Sequence, residues 1–239
     1  MSSEFFGKVV LVAGGTGGLG HAVSLGFLRQ GARVAVTFRQ ESEFLSLKDA
    51  AAEDSGLLVG FNVDVTDLRQ TEELVNRIIF EENRLDILVN SVGGYAGGKP
   101  LWELDPSDFT RMVDLNLRAT YALAKSALTP MLARKSGVII NIASKAAWDH
   151  AAGASVYAAS KAGAVALIDS LAADLIGSGI RVNSILPSII DTEANRKAMP
   201  NADFSKWPKP EEIAILVLFL ASEHARVVHG ASIPVYGNA

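Results

Sequence analysis

Short apolar runs alternating with helical stretches constrain this chain more than any other feature of it. Such runs occupy 8–13 (KVVLVA), 33–38 (RVAVTF), 57–62, 86–90, 138–143 and 180–186, and a last short one lies near 231–235. A strand covered by crossover helices on both faces reads as a continuous apolar run, so the pattern points to a parallel sheet. The expected fold is α/β, a doubly wound parallel sheet of about seven strands flanked by helices. Helices are expected at 41–53, 67–81, roughly 106–135, and 153–178. Nothing in the 239 residues resembles a linker, a low-complexity tract or an internal repeat, so one domain over 1–239 is expected.

The first run ends in GGTGGLG at 14–20, followed by an amphipathic stretch that Gly31 should stop. A Gly-rich turn between a strand and a helix brings backbone N–H groups and the positive end of the helix dipole up to an anion. Gly14, Thr16, Gly17, Gly18, Leu19 and Gly20 are therefore candidate contacts for a dinucleotide pyrophosphate. The second strand ends in Thr37, Phe38 and Arg39, with no carboxylate to accept from a ribose 2′-hydroxyl. Arg39 could instead pair with a 2′-phosphate, which favours NADP(H) over NAD(H); pairing of Arg39 with Glu41 or Glu43 would remove that argument. After the third strand, Asp64 and Val65 are candidate adenine contacts, although Asp at a strand end is also a common turn residue. The fourth strand gives way to Asn90 and a flexible Gly93-Gly94 turn on the same sheet edge, where ligands bind in such folds, so Asn90 and Gly93 are candidate cofactor contacts. Asn116 falls inside the long helix, where an amide normally competes for backbone hydrogen bonds.

The densest chemistry lies at 144–161. A strand at 138–143 should deliver Ser144, and the following helix carries Tyr157 and Lys161 four residues apart on one face. An ammonium beside a phenol favours the phenolate, so the Tyr157 proton is expected to leave below the ordinary value of about 10. A phenol of that kind, with a serine hydroxyl on the same substrate oxygen, is suited to acid/base work on a carbonyl.

Composition removes several classes. The net charge of −4 is interspersed, with no basic stripe for nucleic acid and no polybasic membrane patch. The absence of cysteine excludes disulfides and thiolate metal sites. His21, His150, His224 and His229 lack metal-ligand spacing, so no metal site is expected. The opening MSSEFFGKVV has no charged region leading into an apolar core, and the apolar run at 213–221 is too short to span a bilayer. A soluble, cytoplasmic protein is the expectation.

In order, Gly14-x-x-x-Gly18-x-Gly20, Asn90-x-x-Gly93, Asn116, Ser144 and Tyr157-x-x-x-Lys161 resemble the short-chain dehydrogenase/reductase family over essentially the whole chain. The resemblance implies a Rossmann-like oxidoreductase, with Tyr157 as acid/base and Ser144 positioning the carbonyl. It also implies that Lys161 holds the nicotinamide ribose and that Asn116 anchors a water linking Lys161 to solvent. Pro187, Ile190 and Thr192 would complete the cofactor side, Thr192 at the carboxamide, and a homotetramer (or homodimer) would form through 106–135 and 153–178. The chain departs from the family pattern at Ala13, at Ser91-Val92 and at Ser188. Residues 188–210 are expected to form a long irregular segment, read as an active-site lid. Tyr95, Trp148, His150 and Trp207 are the substrate-side candidates. Two stretches, 92–98 and 191–207, are similar to quinonoid dihydropteridine reductase, which makes reduction of a pterin the alternative to reduction of a 3-oxoacyl group or small ketone.

Overall fold

In a computed structural model describing residues 4–238, seven parallel strands form one sheet in the order β3-β2-β1-β4-β5-β6-β7. The strands are β1 (Val9–Ala13), β2 (Arg33–Phe38), β3 (Leu58–Asn62), β4 (Ile87–Asn90), β5 (Gly137–Ile142), β6 (Ile180–Pro187) and β7 (Ser232–Val235). The helices are α1 (Gly18–Arg29), α2 (Glu41–Ala51), α3 (Leu68–Glu82), α4 (Pro106–Met112), α5 (Ala119–Arg134), α6 (Ser155–Asp174), α7 (Glu193–Ala198) and α8 (Pro210–Ala221). Met1 to Ser3 and Ala239, included in the expected domain, lie outside the described residues.

Successive strand residues feed opposite cores. Val10, Val12, Val34, Val36, Val89 and Ile140 pack with Phe27 and Val217 on one face, which α1 and α8 cover. Leu11, Ala35, Leu88 and Ile139 pack with Leu74, Leu123 and Ile168 on the other, under α3, α5 and α6. Each large aliphatic side chain removed from water contributes about 1.5–3 kcal/mol, so both faces favour the same register. The outer strand β7 is only partly buried and carries Pro234, a residue tolerated where no further strand needs its N–H.

The chain winds outward from β1 in one direction to β3 and, after returning, from β4 in the other to β7. The carboxyl ends of β1 and β4 therefore splay apart and leave a crevice at the strand ends. The register Ala13↔Asn90↔Asn141↔Ser184 marks the sheet row at this edge.

Two expectations need correction. The helix expected over 106–135 is broken by a π-helical turn at Val113–Arg118, which contains Asn116. Residues 188–210 are not irregular: α7 and a 3-10 turn at Phe204–Lys206 order them. Strand β3 ends at Asn62, so Asp64 and Val65 lie in the turn beyond it. The apolar run at 213–221 falls within α8. Among the described residues only α6 has the length and apolar content to cross a bilayer; it packs on β6 and buries Lys161, as a core helix does.

Asp86 locks the sheet from its opposite end. Its carboxylate accepts from the Val9 N–H at 2.9 Å and from both arms of the Arg84 fork at 2.7 and 2.6 Å. Burial pushes the carboxyl up, but the Arg84 hydrogen bonds, the Val9 N–H and the Arg84 and Arg134 charges together hold it below the usual carboxylate range. Its contribution to stability is thus present above pH 3.8 and is lost as pH falls through the lower folded-state value. Asp86→Ala should cost about 3 kcal/mol, because it orphans a buried N–H and two guanidinium groups. A lowered urea midpoint with an unchanged slope would report that loss.

Candidate active site

Three segments meet at the carboxyl end of β5. Ser144 lies two residues beyond that strand, where its Oγ accepts from the Ala146 N–H at 3.1 Å and caps the turn Lys145–Ala147. Tyr157 lies in the first turn of α6 and Lys161 one turn further along. Lys161 is buried, and its Nζ donates to the carbonyl of Ile142 at 3.2 Å, only two residues before Ser144. The expected Ser144, Tyr157 and Lys161 cluster therefore forms.

The expected electrostatics do not. Burial pushes the Tyr157 phenol above its ordinary 10.0, Ser144 opposes this by hydrogen bonding, and Tyr95 reinforces it. The Lys161 ammonium faces the Ile142 carbonyl, and burial lowers it from 10.5 to about 8. Proximity on a helix face is thus not a charge effect by itself; desolvation of both groups dominates.

Asn116 sits in the π turn and is buried. Its Oδ1 accepts from the Gly94 N–H at 3.0 Å, and its Nδ2 donates to the Gly94 carbonyl at 3.1 Å and to Ser160 Oγ at 3.0 Å. Ser160 in turn donates to the Tyr157 carbonyl at 2.8 Å. One amide therefore ties the loop after β4 to the helix carrying Tyr157 and Lys161. The Asn116 carbonyl accepts from Thr120 Oγ1 at 2.7 Å. A Cβ on Gly93 would come within 3.0 Å of both Asn116 Oδ1 and Lys161 Nζ, which is why a glycine stands there.

Asn90, read as a cofactor contact, is instead buried in a polar knot. Its Nδ2 donates to Thr120 Oγ1 and to Asn141 Oδ1, both at 3.0 Å, and its Oδ1 accepts from the Val92 N–H. Its amide braces the loop from within the core. Asn141, Thr120 and Ser160 were not anticipated. Asn141 alone left a signal, as a polar residue inside the apolar run VIINIA.

The Gly-rich turn lies across the crevice. The Gly14 N–H donates to Thr37 Oγ1 at 2.9 Å, joining the turn to the end of β2. Ser91 Oγ donates to the Ala13 carbonyl at 2.7 Å, joining it to the end of β4. A Cβ on Gly20 would fall 2.0 Å from the Gly14 carbonyl oxygen, so only glycine permits this turn. Gly17 precedes α1 with no side chain capping the helix, leaving its first N–H groups free for an anion. The Thr192 methyl would lie 2.7 Å from a Cβ on Gly18, which brings the segment after β6 onto the turn. Pro187 ends β6, and Ile190 packs against the core nearby. An uncapped helix start, a glycine-only turn and a basic residue past β2 fit a dinucleotide.

Arg39 is exposed and pairs with neither Glu41 nor Glu43 among the described residues. Asp64 spends one carboxylate oxygen on Thr66, accepting from its N–H at 2.9 Å and its hydroxyl at 2.8 Å, while Val65 is buried in the core.

The Tyr95 ring stands edge-on to Tyr157, with centroids 5.0 Å apart. Trp148 is half exposed, at the end of the turn that Ser144 begins. His150 is exposed, with Nε2 3.3 Å from the Ala147 carbonyl. Of the two roles open to Trp207, substrate contact or packing of 188–210 onto the core, its surroundings fit packing: it is 7% exposed and its ring lies tilted on Phe204.

The "short chain dehydrogenase" family model matches residues 8–203. A D-threitol dehydrogenase of Mycolicibacterium smegmatis is 34% identical, covering 97% of this chain and 92% of its own. The 3-oxoacyl-[acyl-carrier-protein] reductase FabG of Thermotoga maritima is 30% identical and covers 97% of both. Among solved structures, ElxO with NADP bound superposes with a TM-score of 0.90 at 28% identity, covering 96% of this chain and 97% of that one. An NAD+-bound xylitol dehydrogenase has a TM-score of 0.90 over 98% of this chain and 99% of that one, and its 23% identity shows the shared fold alone. The local likeness to a pterin reductase gains no support from these relatives. The chain belongs to the short-chain dehydrogenase/reductase family and is an NAD(P)-dependent oxidoreductase.

Proposed function

We propose that this enzyme transfers a hydride between NADP(H) and a carbonyl or alcohol of the 3-oxoacyl or small-ketone type. The observation that carries the reading is the meeting of Ser144, Tyr157 and Lys161 at the end of β5, across the crevice from the Gly-rich turn. Gly14, Thr16, Gly17, Gly18, Leu19 and Gly20 would hold the pyrophosphate, Arg39 a 2′-phosphate and Asp64 the adenine. Pro187, Ile190 and Thr192 would border the nicotinamide, and Lys161 its ribose. When bound, the cofactor supplies or accepts the hydride.

Tyr157 manages the proton. Its raised pKa keeps the phenol protonated at neutral pH, the form needed to donate to a carbonyl oxygen as that oxygen gains negative charge. Ser144 Oγ donates a second hydrogen bond to the same oxygen, in a site where partial desolvation strengthens it. Asn116 holds the Gly94 loop and, through Ser160, the first turn of α6, so it positions Tyr157. Residues 188–210, stapled by the Asp191–Arg196 pair, act as the lid, and Tyr95 and Trp148 border the substrate. The outer face of α6 exposes Ala159, Ala166, Ser170 and Ala173, small residues that suit close approach of a second copy in a homotetramer.

Tyr157→Phe should lower kcat by about 10²–10⁴-fold while leaving cofactor affinity within about twofold. Steady-state oxidation of NADPH and NADH against a 3-oxoacyl thioester and simple ketones tests it, and full turnover by the variant would remove Tyr157 from the mechanism. Lys161 provides a second test. Because its folded-state value of about 8 lies below 10.5, the unfolded chain holds the proton more tightly between these limits. Stability should therefore rise with pH across that window and carry a penalty of about 3 kcal/mol below it. Lys161→Met should lose turnover yet unfold at higher urea than the parent at pH 7, the two midpoints converging toward pH 10.5.

A further inference from the structure

Glu43 lies in the first turn of α2, outside every motif of the sequence. Its Oε2 accepts from the Thr16 hydroxyl at 3.0 Å, so a helix that follows β2 reaches back onto the Gly-rich turn. The end of β2 is fixed to the same turn by the bond between the Gly14 N–H and Thr37. Arg39, four residues before Glu43, is exposed and makes no ion pair with it among the described residues. One carboxylate and one guanidinium, unpaired with each other, thus flank the end of β2, where a dinucleotide fold places the adenosine ribose.

We propose that Glu43 is the cofactor-selecting carboxylate of this chain. It is delivered from α2 rather than from the strand end, and it opposes Arg39. Glu43 accepts from the ribose 2′-hydroxyl of an unphosphorylated nicotinamide nucleotide, and its charge disfavours a 2′-phosphate. Arg39 does the reverse. The balance makes the enzyme able to use both cofactors, with a modest NADP(H) preference. The inference rests on the dinucleotide site proposed above and concerns only which dinucleotide that site takes.

The test uses 5′-AMP and 2′,5′-ADP, which differ only in the 2′-phosphate, titrated calorimetrically into the parent protein and into Glu43→Gln. The substitution keeps the side-chain length and an acceptor for Thr16 while removing the charge. The ratio of 2′,5′-ADP to 5′-AMP affinity should rise about tenfold in Glu43→Gln, the order expected for one carboxylate near a dianion at the surface. The gain should shrink at 0.5 M salt, where the Debye length falls to about 4 Å. An unchanged ratio would overturn the role of Glu43. Failure of the parent to bind either fragment would instead overturn the dinucleotide site itself. Glu43→Ala, which also breaks the bond to Thr16, should raise the ratio as much; a rise in Glu43→Ala alone would make the effect one of turn geometry and overturn selection by charge.

Discussion

A parallel sheet leaves neither face in water, and this structure follows from that requirement. Each strand must be covered above and below, so every return crossing becomes a helix and the chain winds away from β1 on both sides. Reversal of the winding between β1 and β4 opens one crevice at the strand ends. The Gly-rich turn leaves β1, the loop containing Gly93 leaves β4, and Ser144 follows β5. Segments about 130 residues apart in sequence, Gly14 and Ser144 among them, share one sheet edge because all the strands point the same way.

Loops at such an edge would be mobile without internal braces, and here the braces are amides and hydroxyls rather than apolar contacts. Asn90, Thr120 and Asn141 form a buried knot under the β4 loop, and Asn116 clasps Gly94 through both its donor and its acceptor. A buried polar group repays its desolvation only when paired with good geometry, so such a network admits few alternative arrangements. The π turn is part of this device. It sets Asn116 toward Gly94 and Ser160 inside an otherwise regular helical run.

Lys161 shows what the site costs the fold. A fully buried ammonium with one carbonyl acceptor is destabilising at neutral pH, and no carboxylate pairs with it among the described residues. Functional sites commonly hold such groups, the surrounding packing offsetting the local penalty. The raised Tyr157 pKa has the same origin in burial, and it suits the proton donor proposed for this position.

The order of strands and helices, the Gly-rich turn and the Ser144, Tyr157 and Lys161 set were legible in the sequence, because periodicity and short-range spacing fix local structure and which residues share a helix face. The break in the helix around Asn116 and the ordering of 188–210 were not, since a π turn and a short capped helix depend on hydrogen bonds to distant backbone. Asn90 read as a ligand contact and proved to be a core brace; only the register of β4 beside β5 places Asn141 within its reach. The direction of the Tyr157 shift was misjudged for a related reason, since spacing reports proximity while burial sets the dielectric around both groups. Sequence alone thus determined the family's architecture and the residues that gather at the candidate site. Tertiary structure decided their ionisation and their braces, because desolvation and long-range hydrogen bonds exist only once the layers have packed.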